Sequence, residues 1–85
     1  MPQNFDETTS FKVLGESKDQ VEAILQMVYD ALQEKGYNAI NQLVGYMISG
    51  DPAYVTSYKD ARSMITKVER DEIMEVVLRK FLNVF

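Results

Sequence analysis

Ser17-Lys18-Asp19-Gln20-Val21-Glu22-Ala23-Ile24-Leu25-Gln26-Met27-Val28-Tyr29-Asp30-Ala31-Leu32-Gln33-Glu34-Lys35-Gly36 is the stretch that decides the fold. Val21, Ile24, Leu25, Val28, Ala31 and Leu32 recur at i, i+3, i+4 and i+7, so a helix gathers them into one apolar stripe. The Ser17 hydroxyl can accept from the free N–H groups of a first turn, and Gln20 completes a capping box. Lys35 suits the negative end of the helix, and Gly36 supplies the left-handed residue that ends it. The spacing predicts a helix from Ser17 to Lys35. A single amphipathic helix cannot bury its own stripe, so other elements must cover it.

Downstream the same period returns. Asn38 is a suitable N-cap for a second helix carrying Ile40, Leu43, Val44, Met47 and Ile48. The connection Gly36-Tyr37-Asn38 is short enough to make the two helices packed neighbours. Gly45 inside the second helix costs up to about 1 kcal/mol relative to alanine, and close approach of another helix would explain it. Gly50-Asp51-Pro52 ends that helix, and Ala53-Tyr54-Val55 reads as one irregular or 3₁₀ turn. Ser57 followed by Asp60 resembles a further cap. Ala61, Met64, Ile65 and Val68 form one stripe, and Ile73, Val76, Val77, Phe81 and Val84 another, with Glu69-Arg70-Asp71-Glu72 breaking the phase between them. Two helices follow, about 58–67 and about 70–83, with a kinked single helix as the alternative. Residues 1–16 lack sustained periodicity and are expected to form a flexible tail, with Phe11–Leu14 as a short extended piece. The expected fold class is all-α: residues 17–85 form one small bundle of about four to five helices.

Composition excludes much chemistry. The chain has 85 residues and contains no cysteine, histidine or tryptophan. There is no disulfide framework, no thiolate nucleophile and no ordinary zinc ligand set. No side chain titrates near neutrality unless a carboxylate or lysine is strongly perturbed. Catalysis, a cofactor and a metal are therefore not expected. So small a chain makes a marginal core by itself, and self-association is the common remedy where disulfides and metals are absent. A homodimer is expected. The N-terminus lacks the basic and apolar regions of a secretory signal, and the longest apolar run is far too short to cross a membrane. A cytoplasmic location without membrane insertion is expected.

The net charge of −4 opposes sequence-independent nucleic-acid binding. The first two helices could imitate a helix-turn-helix, but residues 38–48 carry no lysine or arginine to meet DNA. The acidic excess lies in the first two thirds, whereas residues 56–85 carry six basic against five acidic side chains. Placed on an unbroken helix, Lys59, Arg62, Lys67 and Arg70 share an arc of roughly 140° opposite the apolar stripe. Such an arc is either a solvated face or a docking face for a phosphorylated segment or acidic partner. A small nucleic-acid-binding or antirepressor module using residues 58–70 is the alternative function. Thr8, Thr9 and Ser10 follow Asp6-Glu7, an arrangement open to kinases if the segment is extended and otherwise an ordinary solvated run. The glycines around Gly45 to Gly50 lack the lysine and spacing of a phosphate loop.

Ala31-Leu32-Gln33-Glu34-Lys35-Gly36-Tyr37-Asn38, Asn41-Gln42-Leu43-Val44-Gly45-Tyr46 and Ser49-Gly50-Asp51-Pro52-Ala53-Tyr54 form a particular set. With Lys59-Asp60-Ala61-Arg62 and Glu69-Arg70-Asp71-Glu72-Ile73, they closely resemble the IreB/ReoM family of Gram-positive regulatory phosphoproteins over about residues 9–82. The resemblance implies a non-catalytic, all-helical, cytoplasmic homodimer. It implies as partners a membrane Ser/Thr kinase with PASTA domains and its phosphatase. It also implies a role in peptidoglycan synthesis and β-lactam tolerance, in part through turnover by a Clp protease of the enzyme committing UDP-N-acetylglucosamine to the cell wall. The family's acceptor threonine stands six residues before a glycine, which places it at Thr9 relative to Gly15, with Thr8 as its neighbour. Family basic residues tied to regulation match Arg62 and Arg70 here. The chain departs from the family at Ala39, where proline is common, and at Thr56-Ser57-Tyr58, where Pro-Arg-His is common.

Overall fold

A computed structural model describes residues 6–84, with side chains from residue 18 onward. Its main helix, α1, runs Asp6–Glu34. Helix α2 spans Ala39–Ser49, α3 Ala61–Ile65 and α4 Arg70–Leu82. Two 3₁₀ turns, Pro52–Tyr54 and Tyr58–Asp60, lie between α2 and α3. Every element among the described residues is helical, as the sequence periodicity predicts.

The apolar stripe of α1 is the centre of the molecule. Val21, Ile24, Val28, Ala31 and Leu32 are buried against Ala39, Tyr46, Val55, Ala61, Ile65, Val68, Ile73 and Val76. Helices α2, α3 and α4 all pack on α1. The end of α1 is set by Gly36, whose φ is +84°. There the Gly36 N–H donates to the Gln33 carbonyl and the Tyr37 N–H to the Leu32 carbonyl, both at 3.0 Å, the paired bonds of a Schellman cap. Asn38 caps α2 by accepting from the Asn41 N–H at 3.1 Å.

Three local expectations are corrected. The helix does not begin at Ser17: helical backbone runs from Asp6 through Phe11–Leu14 and Ser17, replacing the expected cap and extended piece. No proline interrupts this stretch. Ser57 makes no side-chain cap; instead the Thr56 hydroxyl oxygen accepts from the Tyr58 N–H at 3.2 Å. The neighbour that requires glycine at position 45 is a ring, not a helix. A Cβ there would stand 2.5 Å from the Tyr54 ring, which the 3₁₀ turn Pro52–Tyr54 lays on α2. The Gln42 side-chain amide donates to the Tyr54 carbonyl at 2.8 Å and fixes that turn.

Candidate functional site

The four basic residues, which would share one face only on an unbroken helix, are divided among separate elements. The chain turns between α3 and α4, so no unbroken helix carries Lys59, Arg62, Lys67 and Arg70. Arg62, on α3, donates its Nε–H to the Val55 carbonyl at 2.8 Å. Arg70, the first residue of α4, donates through Nη1 to the Met47 carbonyl in the last turn of α2, at 2.9 Å. Its guanidinium also lies on Gly50, where a Cβ would be 2.8 Å from Cζ. Gly50 is left-handed at φ +75° and donates its N–H to the Tyr46 carbonyl, which completes the end of α2. The guanidinium therefore meets the negative end of the α2 dipole.

Lys59 has a different partner. Its ammonium is 3.1 Å from the Glu34 carboxylate, and the Tyr58 hydroxyl donates to the same carboxylate at 2.9 Å. The Lys35 and Lys59 ammonium groups lie 5.2 and 5.5 Å from the Tyr58 ring centre, within cation–π range. The Tyr58 hydrogen bond, then that of Lys59, lowers the Glu34 pKa from the ordinary carboxylate value. The Glu34 hydrogen bond raises that of Lys59. This polar clasp ties the end of α1 to a segment in which Lys59 and Asp60, at φ 53° and 65°, both sit in the left-handed region without being glycine. Lys67 is exposed beyond the end of α3 and makes no ion pair among the described residues.

Sequence spacing also missed a surface. Only Ile73 and Val76 of α4 are buried, whereas Met74, Val77, Leu78, Phe81 and Leu82 are exposed, Phe81 by 83%. On α2, a helix without a charged residue, Ile40, Val44 and Ile48 are likewise exposed, Ile48 by 79%. Met47 of α2 lines one groove with Met74, Leu78 and Leu82 of α4, and Leu43 lines a second with Val76 and Val77 of α4 and Leu25 and Tyr29 of α1. At the rim of the second groove, Glu22 stands 3.5 Å from Lys18 and 3.9 Å from Lys80. Plotting α4 at 100° per residue would have revealed the excess apolar arc.

Among the described residues no cluster of acidic side chains could hold a metal ion, and no helix is long and apolar enough to cross a membrane. Thr8 and Thr9 fall in the first turn of α1, but their side chains lie outside the described ones. The family model for the IreB regulatory phosphoprotein matches residues 6–83, nearly the whole chain. The chain belongs to the IreB regulatory phosphoprotein family. For an IreB-family protein the informative result is that Arg62 and Arg70 both bond main-chain carbonyls of their own chain. The stretch Gly50-Asp51-Pro52-Ala53-Tyr54 has local structural reasons for its residues. Asp51 accepts from the Ala53 N–H at 2.9 Å, Gly50 admits Arg70, and Tyr54 covers Gly45.

Proposed function

We propose that this chain is a non-enzymatic, cytoplasmic regulatory protein switched by phosphorylation of Thr9, with Thr8 the neighbouring acceptor. The family match carries the proposal, because it begins at residue 6 and takes in both threonines. The writer of the phosphate is a membrane Ser/Thr kinase with PASTA domains, and a cognate phosphatase removes it. The output is control of peptidoglycan synthesis and β-lactam tolerance, in part through Clp-dependent turnover of the enzyme that commits UDP-N-acetylglucosamine to the cell wall.

A phosphate adds about −1.5 to −2 charge. In the first turn of α1 that charge meets backbone N–H groups without helical acceptors and the positive end of the dipole. Phosphorylation then alters the start of α1 and what the segment can reach, including partner docking near Lys59, Arg62, Lys67 and Arg70. Incubation with the cognate kinase and mapping by mass spectrometry is the test. Phosphate on Thr9 or Thr8 is expected, and a fully kinase-exposed protein unmodified at both overturns the switch.

The protein acts as a homodimer in this proposal, through the apolar surface of α2 and α4. Eight large apolar side chains, Ile40, Val44 and Ile48 on α2 and Met74, Val77, Leu78, Phe81 and Leu82 on α4, are exposed, and exposed apolar groups that gather into one patch are typical of interface cores. Sedimentation of the unmodified chain at micromolar concentration should give twice the 9.8 kDa chain mass. A single-chain species there overturns the dimer and leaves the phosphoswitch standing.

A further inference from the structure

We infer that Arg70 is a positioning residue: it holds the end of α2 onto the start of α4, and so shapes the apolar groove that Met47 forms with α4. The guanidinium makes two contacts in its present place. Nη1 bonds the Met47 carbonyl at 2.9 Å, and the flat group lies on Gly50 where no Cβ would fit without displacing it. Met47 is also the α2 residue that lines the groove with Met74, Leu78 and Leu82. Fixing its carbonyl therefore fixes one wall of that groove against the other.

Arg62 supports the same segment from its other end, through the buried Val55 and its carbonyl at 2.8 Å. The stretch from Met47 to Val55 is thus held at both ends by arginines from the two helices that follow it. Arginine fits the Arg70 place better than lysine: its planar fork can stack on a glycine while one N–H meets a carbonyl, whereas an ammonium is a point charge. The charge itself is placed against the end of α2, where it is favourable.

The functional part rests on the proposed self-association of the α2–α4 surface, and the experiment separates the two. Self-association constants are measured by sedimentation equilibrium on the full chain carrying Gly50→Ala, Arg70→Ala, both changes, or Arg70→Lys. Gly36→Ala is the control, since Gly36 is also left-handed, at φ +84°, but a Cβ there meets nothing within 4 Å. Gly50→Ala retains the arginine charge while displacing the guanidinium. Gly50→Ala and Arg70→Ala are each expected to weaken association roughly tenfold, with the double change little worse than either, as expected for residues in contact. Arg70→Lys should follow Arg70→Ala, and Gly36→Ala should strain the backbone while leaving association within about twofold. Additive effects of the two changes, or full association with lysine at position 70, overturn the inference. If the unmodified chain is monomeric, the dimer falls and the cycle is read in folding free energies. Coupling there supports the brace, and additivity overturns it.

Discussion

Helices α1 and α4 are both amphipathic, yet they dispose of their apolar side chains in opposite ways. Among its residues with described side chains, α1 places Val21, Ile24, Val28, Ala31 and Leu32 in the core. Helix α4 buries Ile73 and Val76 and turns Met74, Val77, Leu78, Phe81 and Leu82 outward. The first pattern satisfies the needs of a single folded chain, and the second exceeds them. Under the proposed self-association, folding and recognition fall to different helices, and substitutions should separate them. Leu32→Ala removes a side chain with no exposed surface and should cost about 3 kcal/mol of folding free energy. Urea unfolding at several protein concentrations measures it, and a loss under about 1 kcal/mol would mean that α1 is not the keystone of the core.

Phe81→Glu probes the other side of the comparison. Phe81 is the most exposed large apolar residue of α4, so the isolated chain should change in stability by no more than about 0.5 kcal/mol. Self-association, if it uses this face, should weaken by at least about tenfold, because a buried charge replaces an aromatic contact. A variant that unfolds as readily as Leu32→Ala would erase the distinction between the helices. One that folds and associates normally would keep it but move the interface elsewhere.

The contrast was only half legible in the sequence. Val21 to Leu32 were readable as core because burial imposes a helical period on side-chain type. The outward face of α4 uses the same residue types, and periodicity alone does not say which apolar arc is covered. Ser17 and Gln20 had the form of a capping box but stand inside α1, since such a pair is permitted where the helix continues. Gly45 correctly signalled a close approach, while its cause, the Tyr54 ring, depends on how a later turn folds back. Arg62 and Arg70 looked like surface charge. Their acceptors are the carbonyls of Val55 and Met47, and main-chain acceptors leave no mark on residue type. Gly50 was the one available hint, and its turn explained it well enough to hide the second reason for it.

The smallest expected effect lies where α1 leaves the core and meets the left-handed pair Lys59 and Asp60. Here α1 is held by polar contacts: both Tyr58 and Lys59 bond the exposed Glu34 carboxylate. Because folding lowers the Glu34 pKa, its contribution is complete above the unfolded carboxylate value and disappears as pH falls through the lower, folded one. Because folding raises that of Lys59, its contribution is complete below the unfolded lysine value and disappears as pH rises through the higher, folded one. The clasp is therefore whole across the neutral range and opens at both extremes. Solvent screening at this exposed site makes it a local effect, with no measurable change expected in the α1 core. In an NMR titration, the Glu34 carboxyl should move with a midpoint below the ordinary carboxylate value, and the Tyr58 ring should follow it. Glu34→Gln should abolish that movement of the ring while Val28 and Leu32 stay unchanged. An ordinary Glu34 midpoint, or a ring that titrates identically without the carboxylate, would remove the clasp and leave α1 joined to its neighbours through apolar packing at that end.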